Sequence, residues 1–550
     1  MTKLKLQFAD SLQKLWGHSP LPAAVHTLTA LKKETVSVQA VLQVPADAPR
    51  CRVSAAVESP LSDYVRLRRV VEVPVRLPIH KGSDDDALSD KPGLYPDLLS
   101  PYEGEPVWLQ NDSISSFWLD ITVPETVPAG DYPLFFQLKE IRENGTCAPT
   151  GEEMAAALTL TIKEAVLPEQ QLICTQWMHT DCLAQYYQAP VFSEEYWRIT
   201  ENFMREAVQT GINLLLTPLF TPPLDTAVGG ERLTVQLVEV TQSAEGDYTF
   251  GFERLQRWIA TAQRAGIRYF EMSHLFTQWG AKACPKVMAH TPEGERRIFG
   301  WDTPSDGEDY FAFLTQFLPA LTAKLREWGL ADRCWFHLSD EPTDEALPRY
   351  LRLKQAVAPL LEGFPVMDAL SHYAFYEQGA VEQPVVAIDA VEPFLEHETE
   401  SLWVYYCCIL NKGMSNRFIA LPSARNRVLG FQLYLANVKG FLHWGFNFYN
   451  SAHSLCTIDP YLTTDADGAF PAGDPFLVYP GRNGRPQGSI RQMVFVQALQ
   501  DLRACQLLEK KLGRASVCQL IREGGVRGFF DYTHSSDELL ALRERINERL

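Results

Sequence analysis

The chain has 550 residues, 46% of them hydrophobic and 21% charged, with a formal net charge of −18. That length predicts two or three domains, and the composition is that of a folded globular protein. The acidic balance, with no long run of Lys or Arg, argues against nucleic acid or an anionic membrane as the main partner, because phosphate binding needs clustered cations. No window of 18 apolar residues occurs, and the opening "MTKLKLQFADSLQKLWG" has neither a continuous apolar stretch nor a small-residue cleavage site. The expectation is a cytoplasmic protein with no signal peptide and no membrane span. The eleven cysteines include no C-x-x-C pair, and the adjacent Cys407 and Cys408 cannot bridge without strain, which predicts a reduced chain with buried thiols.

Residues 1–168 read as β-rich. "VSVQAVLQV" (36–44), "VRLRRVVEVPVRLPI" (65–79), "FWLDITV" (117–123) and "YPLFFQL" (132–138) are separated by Pro and Gly punctuation. Short strands in that rhythm predict an antiparallel β-sandwich, read as an accessory domain.

From residue 169 the pattern changes. A strand in "QLICTQWMHTD" precedes a Ser-capped helix (193–211), then strand 212–220, helix 252–266, strand 267–275, helix 309–329 despite Pro319, and a strand in "RCWFHLSDEP". Helix 345–362, short strands in "PVMDALS" and "PVVAIDAV", strand 402–410, helix 424–438 and strand 439–450 follow, with a last helix at 489–512. Strand and helix alternating eight times predict a (β/α)8 TIM-like barrel over 169–512, with a β-hairpin insertion at 231–250. An open doubly wound sheet is the rival, but no Gly-rich phosphate loop follows the first strand. Residues 513–550 form a short C-terminal helical tail.

Active sites of such barrels sit at the C-terminal strand ends. Those ends carry Trp177, His179 and Asp181 on strand one, Glu271, His274 and Trp279 after strand three, and Asp340 and Glu341 after strand four. Strand five adds Asp368 and His372, strand six Asp389, strand seven Tyr405 and Tyr406, and strand eight Trp444, Asn447 and Tyr449. Acids and imidazoles among indoles suit a sugar, whose ring face stacks while its hydroxyls take hydrogen bonds. Two adjacent acids on a regular strand point to opposite faces. At a strand end turned by Pro342 both can reach one pocket, where repulsion makes one hold its proton. The bland alternative is that "SDEP" caps the next helix.

Residues 170–512 resemble the catalytic domain of glycoside hydrolase family 123 and its relative, the domain-of-unknown-function family 4091. The resemblance rests on "FHLSDEP" (336–342), "LWVYYCC" (402–408), "GFLHWGFNFY" (440–449) and "GDPFLVYPGRNG" (473–484) followed by "SIR" (489–491). It implies a retaining, exo-acting β-N-acetylgalactosaminidase with substrate-assisted catalysis. Glu341 would be the general acid/base, and Asp340 would hold the 2-acetamido N–H while the acetamido oxygen attacks to form an oxazoline. Trp403, Tyr405, Tyr406 and Trp444 would line the substrate pocket, with Tyr406 favoured over Tyr405 as the hydroxyl on the acetamido carbonyl. Trp177, His179, Glu271, His274 and Asn447 complete the expected substrate-binding set. The sequence departs from the family where the last helix reads Gln492 and Met493 in place of an expected acid. The expected partner is a small glycoside or oligosaccharide, with no nucleic acid, membrane, metal or cofactor. A homo-oligomer is compatible with the sequence.

Three rivals stand beside this reading. A two-carboxylate glycosidase would use Glu271 or Asp181 as nucleophile. A metal-dependent hydrolase would draw on His179, His274, His337 and His372, which form no HxH or HExxH pair. The third is a carbohydrate-binding protein without turnover on the same fold.

Overall fold

The computed structural model describes residues 4–17, 19–48, 52–80, 86–141, 154–410 and 412–550. Two packed β-sheets form the N-terminal part. One has the strand order Lys5–Asp10, Thr35–Val44, Ser113–Thr122, Val65–Val75, Gly93–Pro101, and then two strands from far along the chain, Pro486–Ser489 and Tyr479–Pro480. The other runs Thr27–Lys32, Met154–Val166, Gly130–Ile141, Arg52–Glu58, Val107–Trp108. All pairings are antiparallel except one. Thr27–Lys32 lies parallel to Met154–Val166, a departure from the expected all-antiparallel sandwich.

Period-two alternation builds the core between the sheets. Val36, Val38, Ala40 and Leu42 point inward to meet Phe117, Leu119, Phe136 and Leu158. The opposite face of the same strand is buried as well. Ser37 donates to Asp120 at 2.8 Å, and Gln39 accepts from Ser116 at 2.9 Å. These polar groups lie beneath the rest of the molecule, so each finds an internal partner. Helix Ile490–Leu512 contributes Ile490 and Val494 to a cluster with Leu99 and Trp118 of this sheet.

The remaining chain is a mixed α/β fold with eight parallel strands in two sheets. We label them β1 (Ile173–Gln176), β2 (Leu214–Thr217), β3 (Tyr269–Met272), β4 (Cys334–Phe336), β5 (Met367–Leu370), β6 (Gln383–Ala387), β7 (Trp403–Tyr405) and β8 (Gly440–His443). One sheet has the order β1-β8-β7-β6-β5 and the other β2-β3-β4. At one seam Asn213 N–H donates to the Cys174 carbonyl at 3.0 Å. At the other, Phe336 forms a parallel bridge with Val366.

Helices alternate with these strands, and their ends follow local chemistry. The helix Glu194–Gln209 is capped by the Ser193 side chain, which accepts from Tyr196 N–H. The helix Glu253–Ala265 ends on Gly266 at φ 112°. Helix Glu308–Glu327 carries Pro319 in its interior, as expected. The region expected as one helix at 424–438 is two short ones, Ala424–Arg427 and Leu429–Leu435.

The insertion hairpin is shorter than 231–250. Glu239–Gln242 pairs with Tyr248–Gly251, and Val287–Thr291 and Gly294–Phe299 extend it to four strands. Residues 233–238 are not strand, because Leu237 and Val238 turn their N–H groups to the carbonyls of Pro218 and Leu219. After residue 512 come the helices Arg514–Glu523 and Ser536–Asn547. The second is tied down by buried Arg543, which reaches Glu34 at 2.8 Å and Asp501 at 2.9 Å. Cys51 and Cys147 lie outside the described residues. The other nine cysteines are in no disulfide, and seven are buried.

Candidate active site

Strand β4 is prolonged past Phe336 by the loop that follows β3. Leu275 and Phe276 N–H donate to the carbonyls of His337 and Leu338 at 3.1 and 2.9 Å. The extension stops at Glu341, whose backbone is left-handed at φ 43°. A non-glycine residue held there costs on the order of 1–3 kcal/mol, so its surroundings must hold it. Trp279 N–H donates to the Asp340 carbonyl at 3.2 Å, and Ser339 Oγ donates to the Thr277 carbonyl at 2.9 Å. The kink answers the alternation problem, since both carboxyls now line one cleft. The capping alternative does not apply. The 3-10 turn Asp344–Ala346 that follows, N-capped at Thr343, and the helix Leu347–Val357 that continues it have no side-chain cap.

The cleft has a volume of about 170 Å³. Asp340, Glu341 and Tyr405 line it, with Trp177, Trp444, Phe470 and Trp279 supplying aromatic walls. Asp225, Gln278, Cys407 and Cys408 also line it, with Leu224, Ala369 and Leu442. A larger hollow of 680 Å³ lies near the starts of β1 and β8, but it holds no pair of adjacent acids.

Tyr405 OH donates to Glu341 Oε1 at 2.6 Å. Burial raises the Glu341 carboxyl above its usual range, Tyr405 opposes the shift, and the Asp389 charge adds to it. Asp340 is raised well above the ordinary value, first by burial and then by the charge of Glu341. Two carboxyls this close cannot both ionise cheaply, so one keeps a proton to higher pH than an exposed acid would.

A charged network lies beneath the pair. His337 Nε2 meets Glu271 Oε2 at 2.9 Å, and its Nδ1 meets Asp368 Oδ1 at 3.0 Å. Burial pushes the imidazole down, but the two carboxylates outweigh it and hold the group at about 9. Asp368 also accepts from Tyr350 OH and from the N–H groups of Leu338 and Ser339. The network therefore grips the two residues that lead into Asp340.

The expected site residues separate into two groups. Asp340, Glu341, Tyr405, Trp177 and Trp444 come together in the cleft. Tyr406 does not. It is fully buried on the opposite face of β7, against Phe441 and His443 at 5.1 and 5.4 Å between ring centres. Alternation along β7 sends Tyr405 and Tyr406 apart, which corrects the preference for Tyr406. Trp403 shares the face of Tyr405 but sits lower. Its indole fills the space where Gly440 has no Cβ and packs on Trp335 at 5.5 Å.

Glu271 is a network residue with both oxygens engaged, Oε1 by Thr175 OH. His274 is buried and stacked on His337 at 4.3 Å, and burial holds it well below its usual range. His179 Nε2–H donates to the Trp444 carbonyl at 2.9 Å, and its Nδ1 accepts from Arg232 at 3.1 Å. Asn447 is buried and pairs with both backbone groups of His179. These four residues support the cleft from behind. Both oxygens of Asp181 accept from Arg232, through Nε and Nη2, and exposed His372 pairs with Asp344.

His274, His337 and Asp368 bring potential ligand atoms within 4.8 Å of one another. A protonated His337 flanked by two carboxylates offers donors rather than a lone pair, so this cluster does not suit a cation. His179 and His372 lie elsewhere, and the histidine-metal reading has no common centre among the described residues.

The sequence reasoning passed over Asp474, Phe470, Asp225 and Gln278. Asp474 accepts from Trp444 Nε1 at 2.9 Å and so fixes the indole that walls the cleft. Its signal was present in "GDPF", directly before a run otherwise apolar.

Comparison with known proteins places these observations in a family. The model of the glycoside hydrolase 123 catalytic domain matches residues 177–508. A family 123 glycoside hydrolase from Clostridium perfringens, whose structure was described for glycolipid glycan hydrolysis, superposes with a TM-score of 0.74 at 14% identity. The match covers 99% of this chain and 98% of that one. At that identity the likeness is one of fold. A β-galactosidase-like protein from Bacteroides fragilis aligns over 84% of this chain and 58% of its own, at 9% identity and a TM-score of 0.33, too loose to bear on function. Curated protein sequences give no match.

Proposed function

The chain belongs to glycoside hydrolase family 123, and on that footing we propose that it is a retaining, exo-acting β-N-acetylgalactosaminidase-type enzyme whose nucleophile is the substrate's own 2-acetamido oxygen. The observation that carries this reading is the placement of carboxylates. Asp340 and Glu341 both line the cleft, whereas Glu271 and Asp181, the candidate nucleophiles of a two-carboxylate mechanism, are buried and spent on His337, Thr175 and Arg232.

In the proposed first step, Glu341 gives its proton to the glycosidic oxygen as the anomeric C–O bond breaks. The acetamido carbonyl oxygen attacks the same carbon, and the N–H, turning positive, donates to Asp340. The aglycone leaves as an alcohol, and the oxazoline remains in its N-protonated form, its N–H held by the Asp340 carboxylate. In the second step water attacks the anomeric carbon, Glu341 carboxylate takes its proton, and the β configuration returns. Adjacent acids suit this chemistry because they serve neighbouring atoms of one sugar. Tyr405 orients Glu341 and reaches toward the acetamido group. Trp177 Nε1–H, which has no acceptor among the described residues, is available to the sugar, and Trp444 offers a stacking face.

The same proposal takes the eight parallel strands as a closed (β/α)8 barrel over 169–512. The backbone bonds at both seams support closure. Residues 1–168 are then an accessory sandwich and 513–550 a helical tail. Among the described residues no helix is long and apolar enough to cross a membrane. A cytoplasmic enzyme trimming small glycosides is the proposed setting, and a glycolipid glycan is a further source of the same terminal sugar.

The test is nitrophenol release from paired aryl β-glycosides of N-acetylgalactosamine and galactose, with Glu341→Ala as the blank. Cleavage of the acetamido sugar alone is expected. Cleavage of both would move the nucleophile to the protein.

A further inference from the structure

Cys407 and Cys408 stand apart from the other described cysteines in being adjacent and in both lining the cleft that holds Asp340 and Glu341. They follow Tyr405, whose hydroxyl bonds Glu341, and the Glu341 charge acts on the Cys407 thiol. Their turn is stiff. The Cys407 carbonyl accepts from Leu410 N–H and from Asn416 Nδ2, each at 3.1 Å. The two thiols are hydrogen-bonded to each other, and this contact, with burial, pushes the Cys407 thiol well above its usual range.

Adjacent residues are poorly placed for a disulfide. Consecutive Cα atoms stand about 3.8 Å apart across a trans peptide, below the roughly 4.4–6.8 Å that an unstrained bridge needs. An atom inserted between the sulfurs removes that strain, because each sulfur then keeps its own position. Soft centres prefer thiols, and two thiols on a rigid turn hold such a centre in a ring.

We propose that Cys407 and Cys408 form a two-thiol binding site for a soft thiophilic centre of the trivalent arsenic class, and that filling it blocks the cleft beside Glu341. An organoarsenic oxide reacts without oxidation or reduction. Two S–H bonds break, two As–S bonds form, and the oxygen leaves as water with both protons. The organic group then occupies a cleft walled by Trp177, Trp444 and Phe470.

The site predicts a selectivity that single thiols do not show. Alkylation needs thiolate, which the raised Cys407 lacks near neutrality. Iodoacetamide at pH 7 should therefore modify exposed Cys456 faster than buried Cys407, while phenylarsine oxide should choose the pair.

The experiment titrates the full-length protein with phenylarsine oxide and reads bound arsenic by native mass spectrometry. One phenylarsenic per chain is expected, kept by Cys456→Ser and lost from both Cys407→Ser and Cys408→Ser. Ethanedithiol should release it, and equal thiol as 2-mercaptoethanol should not. Cleavage of the aryl acetamido glycoside should fall in step with occupancy. Arsenic retained by both serine variants, release by the monothiol, or full occupancy with undiminished cleavage each overturns the proposal. Circular dichroism shows whether a serine variant has lost its fold. If one has, thiol mapping of the unmutated protein decides, with protection at 407–408 supporting the site and protection elsewhere refuting it. Mass and mapping do not require turnover, so a protein inactive on every aryl glycoside would remove the proposed function and leave this test standing.

Discussion

Glu341 is bound to Tyr405 and strained in its backbone, and its protonation is tied to that of Asp340. Glu341→Gln is expected to lower turnover on substrates with poor leaving groups by about 10²–10⁴, the usual worth of a positioned general acid. Activated aryl glycosides, which need less protonation, should suffer far less in the same assay, and equal losses on both would remove the acid role. Asp340 carries a stability consequence as well. A carboxyl whose folded pKa is raised favours the fold at low pH and loses that contribution as pH rises through the folded value. Asp340→Asn should therefore melt at a higher temperature than the wild type at pH 7.5, with the gain fading toward pH 4. A variant equally shifted at both pH values would show that the Asp340 charge, disfavoured by burial and by Glu341, is not the cause. Among single residues, the acids were legible because a polar pair closing an apolar strand stands out. The choice of tyrosine was not. Alternation says that Tyr405 and Tyr406 diverge, but only the packing of Tyr406 on Phe441 says which one is inside.

At the scale of the element, β4 and its neighbours form a support for the acid turn. Removing His337 leaves Glu271 and Asp368 buried without their shared counter-charge. His337→Leu should cost about 3–5 kcal/mol, the range for breaking one partner of a buried ionic group, as read by chemical denaturation. His337→Gln retains hydrogen bonding and should recover part of it. Because His337 is raised from 6.5 to about 9 in the fold, its contribution is complete below 6.5 and lost as pH rises through about 9. The wild type should lose stability over that window more steeply than His337→Gln, and parallel curves would contradict the network's charge. Strands and helices of this part were readable from Ser caps, terminal glycines and apolar runs. The network was not, since Glu271, His337 and Asp368 are far apart in sequence and each looked like a rim residue.

At the scale of the molecule, the N-terminal sheets and the parallel strands are joined by more than contact. Pro486–Ser489 pairs antiparallel with the edge strand Gly93–Pro101. Beside it, buried Arg491 grips Asp97 through Nε and Nη2, each at 2.8 Å. Gln492 donates to Glu206 and Thr210 and ties the helix Ile490–Leu512 to the helix Glu194–Gln209. Arg491→Met should cost on the order of 3–5 kcal/mol by leaving Asp97 buried without its counter-charge, with only the Tyr479 hydroxyl still donating to it. A fragment starting at residue 169 should be insoluble or aggregated by light scattering, because it exposes an unpaired strand and the apolar face of Ile490 and Val494. A soluble, monomeric fragment would show that the sandwich is dispensable for folding. This joint was invisible in the sequence. "RPQGS" contains a proline and a glycine, which read as loop, and its partner strand lies almost four hundred residues earlier.

That joint has a consequence for the birth of the protein. A ribosome delivers Gly93–Pro101 early, and the strand that covers its edge emerges only when nearly nine-tenths of the chain has been made. Throughout elongation the nascent sandwich presents a bare hydrogen-bonding rim to every other nascent chain nearby. Closing it requires a contact of very long sequence separation, the kind that forms late and slowly. Residues made near the end of synthesis thus seal a sheet begun near its start.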